Sequence, residues 1–109
     1  MPSRKPSFYM QLQKQYPNYF SALESLGEAA RAAGPLDEKT LHLIQLAAAA
    51  SERSEGAVHS HARRARQAGA TPEEIRHALL AITSTIGFPN VTAALSWTDD
   101  ILNDKPQKT

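Results

Sequence analysis

Apolar residues recur along the chain at three- and four-residue spacing and are interrupted by Gly and Pro, a pattern that predicts helices throughout. "FYMQLQKQYPNYFSALESLGEAARAAG" carries Phe20, Leu23, Ala30 and Ala33 close to one helical stripe, and Gly34-Pro35 closes it. The next helix opens at "LDEKT", with Asp37 as its N-cap, and runs to about Ser51 through "LHLIQLAAAA". That stretch is apolar on nearly every side, so it is expected to be central and buried. Ser54 caps a further helix that ends at Gly69. "ATPEE" sets the sharpest boundary, with Thr71 as N-cap, Pro72 at the first helical position and Glu74 completing a capping box. This helix is expected to continue through "IRHALLAITSTI" to Gly87, where "GFPN" breaks the chain. "VTAALSWTDDIL" then forms a last helix before the polar tail "NDKPQKT", residues 103–109. No stretch alternates long enough to read as a strand, so the expected fold is all-α, with about five or six helices.

Length and composition narrow what such a bundle can be. At 109 residues the chain is expected to form a single domain, 1–109, that buries roughly 60–70% of its unfolded surface. Alanine is the commonest residue and clusters at Ala47 to Ala50 and at Ala57, Ala62, Ala65 and Ala68. Small side chains let helices approach closely but bury little area each, at roughly 25 cal/mol per Å². A self-associating domain is therefore expected, with Phe8, Tyr9, Phe20, Phe88 and Trp97 as candidates for interface or core.

The formal net charge of +1 gives no field to attract nucleic acid or an anionic membrane, and the basic start "SRKPS" reads as a solvated terminus. No apolar run reaches the roughly 20 residues that span a bilayer, and none near Met1 resembles a secretion signal. A cytoplasmic protein is the expectation. The chain has no cysteine, which excludes disulfides, thiolate catalysis and Cys-ligated metal or iron–sulfur sites.

The remaining candidate chemistry lies with the histidines. At about 100° per residue, Val58, Ala62, Ala65 and Gly69 define one stripe of the "GAVHSHARRARQAG" helix, and His61 falls roughly 40° from its centre. His59 lies well round the helix with Arg63 and Arg66, on an exposed or rim position with no special role. Residues two apart do not face each other, so His59 and His61 cannot chelate one metal together. For His61 two readings stand side by side: a buried ring bonded to a backbone carbonyl, or a general acid/base or ligand. His42 shares the polar stripe of its helix with Glu38, Gln45 and Glu52, which reads as a solvated face or as the wall of a cavity. His77 falls on the far side of its helix from Ile75, Leu79, Ile82 and Ile86, a surface or interface position. Arg63, Arg64 and Arg66 suit a helix C-terminus, and Arg64 lies close enough to His61 in helical angle to hold a substrate carboxylate.

The stretch from Leu36 to Leu95, with its "LDEKT" start, its histidine followed by "RRARQAGATPEEI" and its "GFPN" break, resembles the carboxymuconolactone decarboxylase and alkylhydroperoxidase AhpD-like family. AhpD-like members carry a CxxC pair seven and four residues before the family histidine, and a glutamate on the preceding helix. Those positions are Ser54, Ala57 and His42, so only His61 matches. A thiol peroxidase needs one thiolate to attack the peroxide and a second to resolve the sulfenic acid, so that route is closed. The decarboxylase branch works without the cysteine pair. The resemblance thus implies an AhpD-like helical fold and a homotrimer or homohexamer.

Three functional readings follow. The first is a cofactor-free lyase or proton-transfer enzyme on a small carboxylated or carbonyl molecule, with His61, His42 and Arg64 as its catalytic groups. The second is a metal-binding protein using His42, His61 and Glu38, with Glu52 or a second subunit's histidine as further ligand. The third is a non-catalytic oligomeric domain.

Overall fold

A computed structural model of the chain describes residues 7–103, and among these residues there are helices and no strands. The basic start through Pro6 and the tail from Asp104 lie outside the described residues. The chain divides into two compact units, one running to Pro35 and one beginning at Leu36.

The first unit contains α1 (Ser7–Gln15) and α2 (Pro17–Ala32). The single helix expected over this segment is divided at Tyr16, where φ −129° and ψ 63° leave the helical region. The cause is Pro17: a proline disfavours helical backbone in the residue before it and is itself well suited to the first turn of a new helix. Phe20 holds the pair together at edge-to-face geometry with Tyr9 and with Tyr19, ring centroids 5.5 Å away in each case. No residue of α2 is buried.

The second unit contains α3 (Glu38–Ser51), α4 (Glu55–Gln67), α5 (Pro72–Leu80), α6 (Thr83–Ile86) and α7 (Phe88–Leu102). Its helix starts follow the expected capping chemistry. Asp37 accepts from the Thr40 amide at 2.8 Å, and Thr71 and Glu74 exchange both bonds of a capping box at 3.0 and 2.9 Å. Glu74 also pairs with Lys39 at 3.1 Å, which links the first turn of α5 to the first turn of α3.

Helix ends are equally local. At the end of α4 the Ala70 amide bonds the Ala65 carbonyl and the Gly69 amide bonds the Arg66 carbonyl, a Schellman closure with Gly69 at φ 102°. Ala65 and Ala70 are both fully buried, which supplies the apolar contact that accompanies this motif. The end of α3 closes the same way through Ser54 to Ala49 and Arg53 to Ala50, but with Arg53 at φ 56° in the position that favours glycine. The Arg53 guanidinium bonds the Asn90 side chain on α7, and that contact helps hold the turn.

Two expected boundaries move. The helix from Pro72 stops at Leu80, and a turn through Ala81 and Ile82 leads to the separate α6; the Thr83 hydroxyl bonds the Leu80 carbonyl at 2.7 Å. Such local bonding competes with helix continuation, and "TST" supplies three residues prone to it. In the other direction, Phe88, Pro89 and Asn90 form the first turn of α7 and do not precede it, because proline fits a first turn and Gly87 at φ 93° makes the reversal.

The core of this unit gathers Leu46, Ala49 and Ala50 from α3, Val58, Ala62 and Ala65 from α4, Ile75 and Leu79 from α5, and Val91 and Ala94 from α7. Its large members contribute roughly 1.5–3 kcal/mol each, whereas the alanines mainly set how closely the helices approach. Trp97, Leu95 and Ile101 pack against this core without being fully buried, while Phe88 is exposed. Among the described residues no helix is long and apolar enough to cross a membrane.

Replacing Gly69 by Ala tests the helix-end reading. The added methyl meets no atom within 4 Å, so any cost comes from the positive φ alone. A loss of about 1–2 kcal/mol is expected in urea unfolding, with Gly56→Ala, which is also open but carries no such φ, neutral or stabilising.

Candidate functional site

The seam between α3 and α4 brings His42 and His61 together, with ring centroids 6.1 Å apart and planes tilted by 34°. His42 is 4% exposed. Of the two readings of its stripe, a solvated face or the wall of a cavity, burial excludes the first: His42, Leu46 and Ala49 follow i, i+4, i+7 spacing, so the histidine belongs to the buried stripe of α3. His61 lies beside the Val58, Ala62 and Ala65 stripe of α4, partly buried, as its helical angle predicts.

Polar atoms on this seam lack partners. His42 Nδ1, His61 Nδ1 and Gln45 Oε1 are buried without a hydrogen bond, which excludes the reading of His61 as a ring whose Nδ1 is satisfied by a backbone carbonyl. Gln45 lies three residues after His42, on the same side of α3. The other nitrogen of His42, Nε2, lies 3.6 Å from Glu38 Oε2, whose side chain is 67% exposed. Arg64 is exposed, three residues beyond His61. Burial, and after it the charge of Arg64 and the nearness of His42, pull the His61 pKa below its ordinary value of 6.5.

The positions of the family cysteines belong to the same face. Ser54 is the N-cap of α4 and its hydroxyl accepts from the Ala57 amide at 3.4 Å. Ala57 packs against the core, and His61 follows four residues later, so Ser54, Ala57 and His61 share one side of the helix. A helix N-terminus lowers a thiol pKa, which is why a thiol pair belongs there; a hydroxyl and a methyl cannot do that chemistry.

The remaining histidines separate. His77 is exposed, as expected. His59 sits at the rim, as expected, and its Nε2 lies 2.9 Å from Asp100 Oδ2 on α7. The partner is 41 residues away in sequence, beyond any helical spacing rule. Glu38, His42 and His61 do not form a three-donor cluster; among the described residues the three donors gathered within 4.8 Å are those of Glu55, His59 and Asp100. Glu52 is exposed at the end of α3.

Residues 17–100 match the family described as carboxymuconolactone decarboxylase. The chain belongs to that family. The match extends the resemblance back from Leu36 into α2. The fold agrees with a carboxymuconolactone decarboxylase family protein from Legionella pneumophila crystallised in its apo form, at a TM-score of 0.77, with 26% identity and 88% of each chain covered. A curated relative from Haemophilus influenzae, described as uncharacterized, is 44% identical over 55 residues, 50% of this chain. The chain spans about half the length of that relative, 49%. Within the family this member has no cysteine and carries His42 where AhpD-like proteins are expected to carry glutamate.

The lowered His61 pKa has a definite sign in stability. Above pH 6.5 the ring is neutral in both folded and unfolded chains and carries no penalty. As the pH falls below that value the unfolded chain takes up the proton first, so stability declines until the folded-state pKa is passed. Urea unfolding from pH 8 to pH 5 should show this loss, and His61→Gln should flatten it.

Proposed function

We propose that this family member is a cofactor-free, histidine-dependent lyase or proton-transfer enzyme, acting in the cytoplasm on a small carboxylated or carbonyl compound. The supporting observation is the pair of imidazoles on the α3–α4 seam, each with a buried and unpartnered Nδ1. A buried polar atom without a partner costs about 1–3 kcal/mol, and a bound ligand that bonded it would recover that cost.

His61 is the acid–base group in this reading. Its lowered pKa leaves a neutral ring at pH 7 that accepts a proton, and the same surroundings make the resulting imidazolium a ready donor. Arg64, one turn further along α4, orients the substrate carboxylate. In a decarboxylation the carbon–carboxylate bond breaks, CO2 leaves, and its electron pair stays on the substrate carbon. His61 first takes up a proton from solvent, delivers it to that carbon and returns to its neutral form. His42 flanks His61 and disfavours its charged form, which keeps the proton mobile. With no cysteine in the chain, the reading excludes the CxxC peroxidase route.

Self-association as a homotrimer or homohexamer belongs to the same proposal. Phe8, Tyr19 and Leu26 in the first unit are 69%, 63% and 65% exposed, more apolar surface than a short helical pair retains in water without cover. Sedimentation at micromolar concentration should give an oligomer, and a monomer would contradict the proposal.

A panel of small lactone acids and β-keto acids, followed by CO2 release and by deuterium uptake from solvent, tests the chemistry. With a substrate found, His61→Ala should lower kcat by about 100-fold or more. Arg64→Gln should act mainly on KM, by about tenfold, and His77→Ala should change neither. Unchanged turnover in His61→Ala sinks the proposal.

A further inference from the structure

The α4–α7 seam carries a second group of ligand-type side chains, separate from the His42–His61 pair. Glu55 and His59 lie one turn apart on α4 and therefore project from the same side of the helix. Asp100 reaches them from α7. One donor atom from each of the three residues lies within 4.8 Å of the others. The His59 Nε2 is 2.9 Å from Asp100 Oδ2 and 4.0 Å from Glu55 Oε2.

We propose that Glu55, His59 and Asp100 form a zinc site that joins α4 to α7. Zinc holds nitrogen and carboxylate ligands at about 2.0–2.2 Å, so two donors on one tetrahedral ion sit about 3.4 Å apart. The His59–Asp100 spacing of 2.9 Å opens by about 0.5 Å to admit the ion. Glu55 must close by about 0.6 Å to match it, a movement open to a side chain that is 57% exposed at the start of its helix.

The donor set selects the ion. One imidazole and two carboxylates suit a first-row divalent ion of the zinc class, whereas magnesium and calcium favour oxygen ligands alone. Two carboxylates and a neutral imidazole carry a charge of −2, which a divalent cation neutralises. The neighbouring carboxylate, Asp99, is directed to Arg76 on α5 at 3.4 Å and does not compete for the ion. Three protein ligands leave the fourth position of a tetrahedral ion to water, which the exposure of the cluster admits. The same atoms make the His59–Asp100 hydrogen bond, and zinc takes the place of the proton between them, which the neutral ring then carries on Nδ1.

Titration of tag-free, chelator-stripped full-length protein with ZnCl2 in a calorimeter tests the site, with Co2+ absorption as the report on geometry. One ion per chain with micromolar affinity is expected. His59→Ala should weaken binding by at least tenfold, as should Asp100→Asn, while His61→Ala should leave it intact. Zinc should also shift the ring resonances of His59 in the unaltered protein and leave those of His42 in place, a measurement that needs no variant to fold. Absence of binding below about 1 mM zinc, binding that survives His59→Ala, or binding lost in His61→Ala would overturn the assignment.

Discussion

The close approach of α3 and α4 governs the second unit. Both helices turn alanine toward the buried side, at Ala49, Ala50, Ala62 and Ala65. Each alanine contributes little by area, so the stability of the seam comes from Leu46, Val58 and the flanking α5 and α7. What the alanines supply is position. They bring the two backbones near enough for a histidine on each helix to reach the other.

That closeness also accounts for the polar atoms stranded between the helices. His42 Nδ1, Gln45 Oε1 and His61 Nδ1 are buried and have no hydrogen-bond partner among the protein's own groups. The unsatisfied atoms oppose folding, and the surrounding apolar contacts outweigh them. The exchange of thiol positions for Ser54 and Ala57 fits the same frame. A serine cap and a packed methyl stabilise the start of α4, so in this chain the helix terminus is a structural element, and of the positions compared with AhpD-like members only His61 keeps the residue type expected there.

Local chemistry was legible in the sequence and long-range chemistry was not. Asp37, Thr71 and Glu74 act on amides three residues away, so their roles can be read from spacing alone. The angle of His61 was readable because α4 has one clear apolar stripe. For His42 the same method left a solvated face and a cavity wall both open, because "LHLIQLAAAA" is apolar all round and no single stripe stands out. The break at Tyr16 had a visible signal in the proline that follows it, and the turn at Ala81 and Ile82 had one in the hydroxyl residues of "TST"; both are weaker than a Gly-Pro stop. The pairing of His59 with Asp100 had none, since it depends on how α7 lies against α4.

Asp99 and Asp100 are adjacent, yet Asp99 meets Arg76 on α5 and Asp100 meets His59 on α4. Successive residues on a helix point about 100° apart, so the two carboxylates act as a pair of rotational stops. If α7 turned about its axis by one residue, both would leave their partners together. Exposed ion pairs contribute only about 0.2–1 kcal/mol each, too little to hold a helix in place by themselves. They are enough to choose among rotations that apolar contact, being non-directional, would otherwise tolerate.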